Sequence, residues 1–229
     1  HAAQTEWFVL DIDSGQQHPD HIVWSKGSAF WNKEGTGFWY ERYPEPKEEE
    51  KYTVAAAGAM FYFHRLGTEQ SQDELVYSIP EHPDWWIGAG PNESRDRILI
   101  SVGEPGSNNS DYSYAEINGA QWQIHPLLPR DAEYSFVWDE GDKFWFSTTK
   151  DAPLGKVFQL DSKHPEEANW KTIIPEGKLK LNGVATCGGF FWASYLKDVC
   201  SQYVKYGLQG QNLGAVPLPG RGSAGGFGG

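Results

Sequence analysis

Two stretches decide how this chain folds: Lys33-Glu34-Gly35-Thr36-Gly37-Phe38-Trp39-Tyr40 and Asp139-Glu140-Gly141-Asp142-Lys143-Phe144-Trp145-Phe146. Each is a polar, glycine-bearing turn feeding directly into an aromatic run. Glycine and short polar residues suit tight reversals, and aromatic side chains fit the pleated surface of a sheet. The same arrangement returns at Thr186-Cys187-Gly188-Gly189-Phe190-Phe191-Trp192. Three aromatic strands opening after glycine turns point to one structural unit used repeatedly.

Working outward, turn residues bound short strand-like runs along the whole chain. A strand is expected over 7–12, ending in the turn Asp13-Ser14-Gly15. A first set of four covers 28–31, 37–43, 60–66 and 74–79. The next three sets cover 86–88, 97–102, 111–117 and 121–126; then 133–138, 143–149, 156–161 and 170–174; then 181–187, 190–196, 202–207 and 213–218. The spacing of about 50 residues per set lies in the range of propeller blades, each a four-stranded antiparallel meander. The expected fold class is all-β: a β-propeller of about four to five blades. The blades are expected at 1–24 (partial), 28–79, 86–126, 133–174 and 181–218, with the start of another at 219–229.

Composition agrees. The 229 residues include 11 Trp, 11 Tyr and 12 Phe against one Met, with 26 Gly and 14 Pro. A helical bundle would be rich in Ala, Leu, Glu and Lys. Neither heptads nor a glycine triplet period appear, and no run reaches the roughly 18 apolar residues of a membrane span. The aromatics are expected to pack between blades rather than to form a sugar-stacking or peptide-gripping surface.

The net charge is −12. Phosphate neutralisation dominates nucleic-acid affinity, so an acidic chain with scattered Lys and Arg is expected to bind neither DNA nor RNA, and anionic membranes are disfavoured alike. The run Glu48-Glu49-Glu50 reads as a solvated loop. Cys187 and Cys200 are too few for a disulfide framework and are expected to be free and mostly buried, with a bridge open if they face each other across a hairpin. No zinc spacing occurs, and no metal or cofactor is expected. The segment His1-Ala2-Ala3-Gln4-Thr5-Glu6 lacks the features of a signal peptide, so either none exists or it has been removed. The expected location is the cytoplasm, with the periplasm and secretion left open. Asn92-Glu93-Ser94 and Asn108-Asn109-Ser110 fit the glycosylation pattern, which arises often by chance.

The segment Trp31-Asn32-Lys33-Glu34-Gly35-Thr36-Gly37-Phe38-Trp39-Tyr40-Glu41-Arg42-Tyr43-Pro44-Glu45-Pro46-Lys47 resembles the propeller of prolyl oligopeptidases. The resemblance continues through His64-Arg65-Leu66-Gly67-Thr68-Glu69-Gln70-Ser71-Gln72-Asp73, Pro80-Glu81-His82-Pro83-Asp84-Trp85 and Glu133-Tyr134-Ser135-Phe136-Val137. It extends to Pro165-Glu166-Glu167-Ala168-Asn169-Trp170 and to Leu218-Pro219-Gly220-Arg221-Gly222-Ser223. It implies the central part of a seven-bladed propeller that, in the family, joins an α/β-hydrolase domain with a Ser-Asp-His triad. That family cleaves short peptides after proline, and its propeller keeps folded proteins out. The implied role here is non-catalytic gating of proline-containing peptides. Open blade edges add an expectation of self-association.

No Gly-x-Ser-x-Gly nucleophile elbow occurs; Ser223 has Gly225 after it but Arg221 before it. No catalytic residue is therefore expected in this chain. Gly220, Gly222 and Gly225 form a Gly-x-Gly-x-x-Gly pattern, read as a turn. The resemblance places a substrate-facing apolar side chain at Trp86, and Gly103 where the family carries an Arg. The competing role for Trp86 is inter-blade core. Two alternatives remain: a stand-alone binding propeller, or a glycan-binding one. For the latter, Asp11, Asp13, Asp139, Glu140 and Asp142 are the candidate carboxylates, all expected in turns.

Overall fold

The strand that opens after Gly35 is buried on both faces. In β3 (Gly37–Arg42), Phe38, Trp39 and Tyr40 are all core residues. A computed structural model describes residues 5–45, 57–118, 121–197 and 200–218. The run 48–50 and the glycine pattern at 220–225 lie outside them.

Strand β3 sits in a five-stranded sheet of order β1-β2-β3-β4-β5, with β1 (Thr5–Leu10), β2 (Gln17–Trp31), β4 (Met60–Arg65) and β5 (Glu74–Ser78). The next sheet runs β6 (Trp86–Pro91), β7 (Ile98–Gly103), β8 (Ser110–Asn118) and β9 (Gln121–Leu128). A third contains β10 (Tyr134–Glu140), β11 (Lys143–Thr148), β12 (Lys156–Asp161) and β13 (Lys171–Ile174). The fourth contains β14 (Leu181–Cys187), β15 (Phe190–Lys197), β16 (Cys200–Gly207) and β17 (Asn212–Val216). Every neighbouring pair is antiparallel and consecutive in the chain, as in a meander.

The first sheet departs from the sequence reading. The sequence reading assigns no strand to residues 17–24, where Gln16-Gln17-His18-Pro19-Asp20-His21 is polar and carries a proline. Pro19 is tolerated because it lies where the register slips between the pairs Leu10↔Gln17 and Phe8↔His21. The strand then bends at Trp24 (φ 58) and Gly27 (φ 85), leaves β1 and joins β3. One strand thus pairs with β1 over its first half and β3 over its second. Segment 1–24, read as part of a separate blade, shares this sheet.

The chain falls into two compact units, His1–Arg130 and Asp131–Gly229. In the first unit, Trp39, Phe61, Phe63 and Val76 pack against Ile87, Ile98, Ile100 and Val102 of the second sheet. In the second unit, Trp145, Val157 and Ile174 meet Phe191, Ala193 and Tyr195. Each of Trp39, Trp145 and Phe191 is the middle residue of its aromatic run, on β3, the third strand of the five-stranded sheet, and on β11 and β15, the second strands of their four-stranded sheets. The repeated aromatic phrase is therefore a repeated seam between sheets, and aromatic burial there supplies much of the apolar driving force. Among the described residues, no helix is long and apolar enough to cross a membrane.

Candidate functional site

Strand β6 is one of the two edge strands of its sheet among the described residues. Its sequence, Trp86-Ile87-Gly88-Ala89-Gly90-Pro91, alternates: Ile87 goes into the core, whereas Trp86 and Gly88 are exposed. Trp86 is paired across the ladder with Gly103. A Cβ placed on Gly103 would lie 2.2 Å from the Trp86 ring, so the indole occupies the space of a side chain at position 103. The next glycine, Gly88, would bring a Cβ to 3.7 Å of the same ring. The glycines thus form a bed on which the ring lies, yet 43% of Trp86 stays exposed. Gly103 is explained by this packing: any larger residue would displace the indole. At this exposure Trp86 is not one of the buried core residues.

The neighbouring Trp85 anchors the start of β6. Its ring stacks on His82 at 3.8 Å with an interplanar angle of 5°. The Arg130 guanidinium carbon sits 3.7 Å from the centre of the same ring. Arg130 is in turn held by Asp111, with Nη2 donating to Oδ2 at 2.7 Å. Cation–π contact and ion pair together fix the residue next to Trp86. Trp86 is therefore presented on a rigid edge, an apolar ring surrounded by glycine backbone. Such a surface suits an apolar or proline ring, and offers no nucleophile or general base.

A second cluster is buried in the same unit. His64 lies on β4, 1% exposed. Its Nδ1 donates to Asp73 Oδ1 at 2.7 Å and its Nε2 to Asp20 Oδ1 at 2.8 Å. Asp20 Oδ1 also accepts the Gly67 backbone N–H at 2.6 Å, and its Oδ2 pairs with His18. Asp73 Oδ2 accepts the Tyr40 hydroxyl at 2.6 Å. Gln70 spans the group, donating to Val23 O and to Tyr40 Oη while accepting from the Val23 N–H.

With carboxylates on both nitrogens, the ring is held as an imidazolium. Burial pushes the His64 pKa down, but Asp73 and Asp20 outweigh it and hold the pKa above the ordinary histidine value. Burial likewise pushes Asp20 up, and His18, the Gly67 N–H and His64 outweigh it, leaving the carboxyl below its usual range. Burial first, then the hydrogen bond to Asp73, pushes the Tyr40 hydroxyl far above the usual tyrosine value. A histidine with both nitrogens engaged cannot take a proton from a nucleophile. The cluster is a structural latch between β2 and the β4–β5 region. Its members are scattered from 18 to 73, so no local spacing reveals it.

The glycosidase candidates find ordinary roles. Asp11 caps the β1–β2 turn, its Oδ1 accepting from the Asp13 and Ser14 N–H groups and the Ser14 hydroxyl. Asp142 pairs with Lys163. Asp139 and Glu140, expected in a turn, lie in β10 opposite Phe144 and Lys143. Asn92 is buried and caps its own turn, accepting from the Asp96 and Arg97 N–H groups; that burial removes it as a glycan acceptor. Cys187 and Cys200 are free, half-buried rather than buried. They pair across β15 with Phe190 and Lys197, at opposite ends of that strand, so no hairpin brings them face to face.

Comparison with known proteins agrees with the fold. The family model described as the prolyl oligopeptidase N-terminal beta-propeller domain matches residues 2–229. The prolyl endopeptidase of Elizabethkingia meningoseptica is 31% identical over 221 residues, covering 96% of this chain and 31% of that protein. Prolyl oligopeptidase A of Galerina marginata is 28% identical over 208 residues, covering 85% of this chain and 28% of its own. A solved structure from a study of two prolyl endopeptidases and their inter-domain dynamics superposes with a TM-score of 0.82 at 29% identity, over 96% of this chain and 32% of that one. The chain spans about 31% of the length of the first of these relatives. Four antiparallel sheets in meander order, with aromatic seams between successive sheets within each unit, are what that domain requires, and the chain belongs to the prolyl oligopeptidase N-terminal β-propeller family.

Proposed function

We propose that this chain is the non-catalytic propeller portion of a post-proline-cleaving serine peptidase, where it gates the passage of short proline-containing peptides to a Ser-Asp-His site on a hydrolase domain. The observation that carries the reading is Trp86: an exposed indole on an edge strand, bedded on Gly103 and Gly88. A flat apolar ring of this kind favours a pyrrolidine ring by stacking without covalent chemistry. Trp86 faces the substrate in this reading, and short proline peptides are the partners. Edge strands such as β6 favour self-association when left uncovered. The free thiols suit a reducing compartment, the cytoplasm.

The test is to assay the 229-residue chain and a longer protein that carries it on the same proline-containing peptide. The chain alone should cleave nothing. In the longer protein, Trp86→Ala should raise KM about five- to tenfold, as loss of one aromatic contact implies, and leave kcat within about twofold. Cleavage by the chain alone, or an unchanged KM, overturns the proposal.

A further inference from the structure

In the second unit a cleft of about 250 Å³ opens between the starts of β10 and β14. Both are edge strands of their sheets. One wall carries Glu133, Ser135, Ser147 and Thr149, with Ser135 and Ser147 directly paired across the β10–β11 ladder. The other carries Lys180 and Asn182 at the start of β14. The walls are held together at the base. Gly155 adopts φ +91°, and a Cβ there would lie 2.9 Å from that of Leu181, so only glycine permits this approach. The Leu181 N–H donates to Leu154 O at 2.7 Å, and the Leu154 N–H to Glu176 Oε1 at 2.6 Å.

The charges in this cleft are distinctive. Nearby, Lys150 is fully used, pairing with Asp131 and Glu167 at 2.6 Å each. Glu133 and Lys180 line the same cleft with opposite signs, yet neither forms an ion pair among the described residues. The same lining carries four hydroxyls, of Ser135, Ser147, Thr148 and Thr149, and the Asn182 amide, groups that both donate and accept; that of Thr148 is already engaged by Glu133 O and the Lys150 N–H. A ligand matched to this lining carries one positive end, one negative end and a short polar body. We propose that the cleft binds a small zwitterion, an amino acid or dipeptide. Its ammonium lies on Glu133 and its carboxylate on Lys180, and the amide of a dipeptide meets Ser135, Ser147, Thr149 or Asn182. The proposal makes no use of Trp86 or of proline, so it holds or fails independently of the gating role.

Amide-resolved NMR titration of the 229-residue chain tests it with glycylglycine, its N-acetyl derivative, its C-terminal amide, and glucose as an uncharged polyol. Glycylglycine should give saturable shifts at the amides of Ser135, Ser147, Thr149 and Asn182. Each capped peptide, lacking one charge, should bind about tenfold more weakly, the scale of one charge-assisted contact. Glu133→Gln should abolish the advantage of the free ammonium and leave that of the carboxylate; Lys180→Met should do the reverse. Both positions are exposed, so the variants should keep the parent melting temperature. Absence of saturable shifts, equal binding of the capped peptides, or binding of glucose in place of glycylglycine overturns the proposal.

Discussion

Replacing His64 with Phe keeps a planar aromatic ring and removes both hydrogen bonds that tie β2 to β4 and the segment before β5. Asp20 and Asp73 would remain, with side chains 1% and 0% exposed. Neither would be wholly stranded: Asp20 keeps the Gly67 N–H and His18, and Asp73 keeps the Tyr40 hydroxyl. Removing one partner of a buried ion pair costs about 3–5 kcal/mol. The surviving partners place the expected loss at the lower end, near ~3 kcal/mol. With a urea m-value of roughly 2 kcal/mol/M, the midpoint of the first unit's transition should fall by about 1.5 M. Adding Asp73→Asn should restore about half of this, because an amide needs no counter-charge.

The pH dependence of the same contact is signed. The His64 pKa is raised on folding, so its contribution is fully present below the unfolded value, about 6.5, and is lost as pH rises through the folded one. The Asp20 pKa is lowered, so its contribution is present above the ordinary carboxylate range and fades as pH falls through the folded value. Stability of the parent should therefore decline on the alkaline side, and His64→Phe should flatten that limb. Urea titrations followed by tryptophan fluorescence across this range decide the matter. A midpoint within about 0.3 M of the parent, or identical alkaline limbs in parent and variant, would refute the view of His64 as a charged latch.

Gly103→Ala should drive the Trp86 ring off its bed, costing about 1–3 kcal/mol and red-shifting tryptophan emission; pairing it with Trp86→Ala should recover most of the stability. Phe191→Ala, at a fully buried position in the seam of the second unit, should cost about 3–5 kcal/mol in calorimetry, with no coupling to His64→Phe. Arg130→Ala removes both the ion pair to Asp111 and the contact with Trp85; it should cost about 1–2 kcal/mol and weaken hydrogen-exchange protection at the start of β6.

Much of the fold was legible because its signals are local. A glycine turn before an aromatic run names both the turn and the strand, and Phe38-Trp39-Tyr40, Phe144-Trp145-Phe146 and Phe190-Phe191-Trp192 all became interior strands, paired on both sides. The first half of β2 was missed for the matching reason: its polar composition and Pro19 argue locally against a strand, and only pairing with β1 and the latch through Asp20 hold it extended. The carboxylates Asp139 and Glu140 were misplaced by a residue or two because β10 runs to the edge of its turn.

By itself the sequence determined the all-β class, the strand repeat and the family, because side-chain period and turn chemistry act between near neighbours. Only tertiary structure decided which aromatics are seams and which, Trp86 among them, are presented outward. Trp85 and Trp86 are adjacent and chemically identical; one is clamped by His82 and Arg130, the other lies open on Gly103. The same holds for charge. His64 becomes a buried cation, and Glu133 and Lys180 come to line one cleft, because strands distant in sequence are brought together, and electrostatic energy depends on that separation and burial rather than on order along the chain.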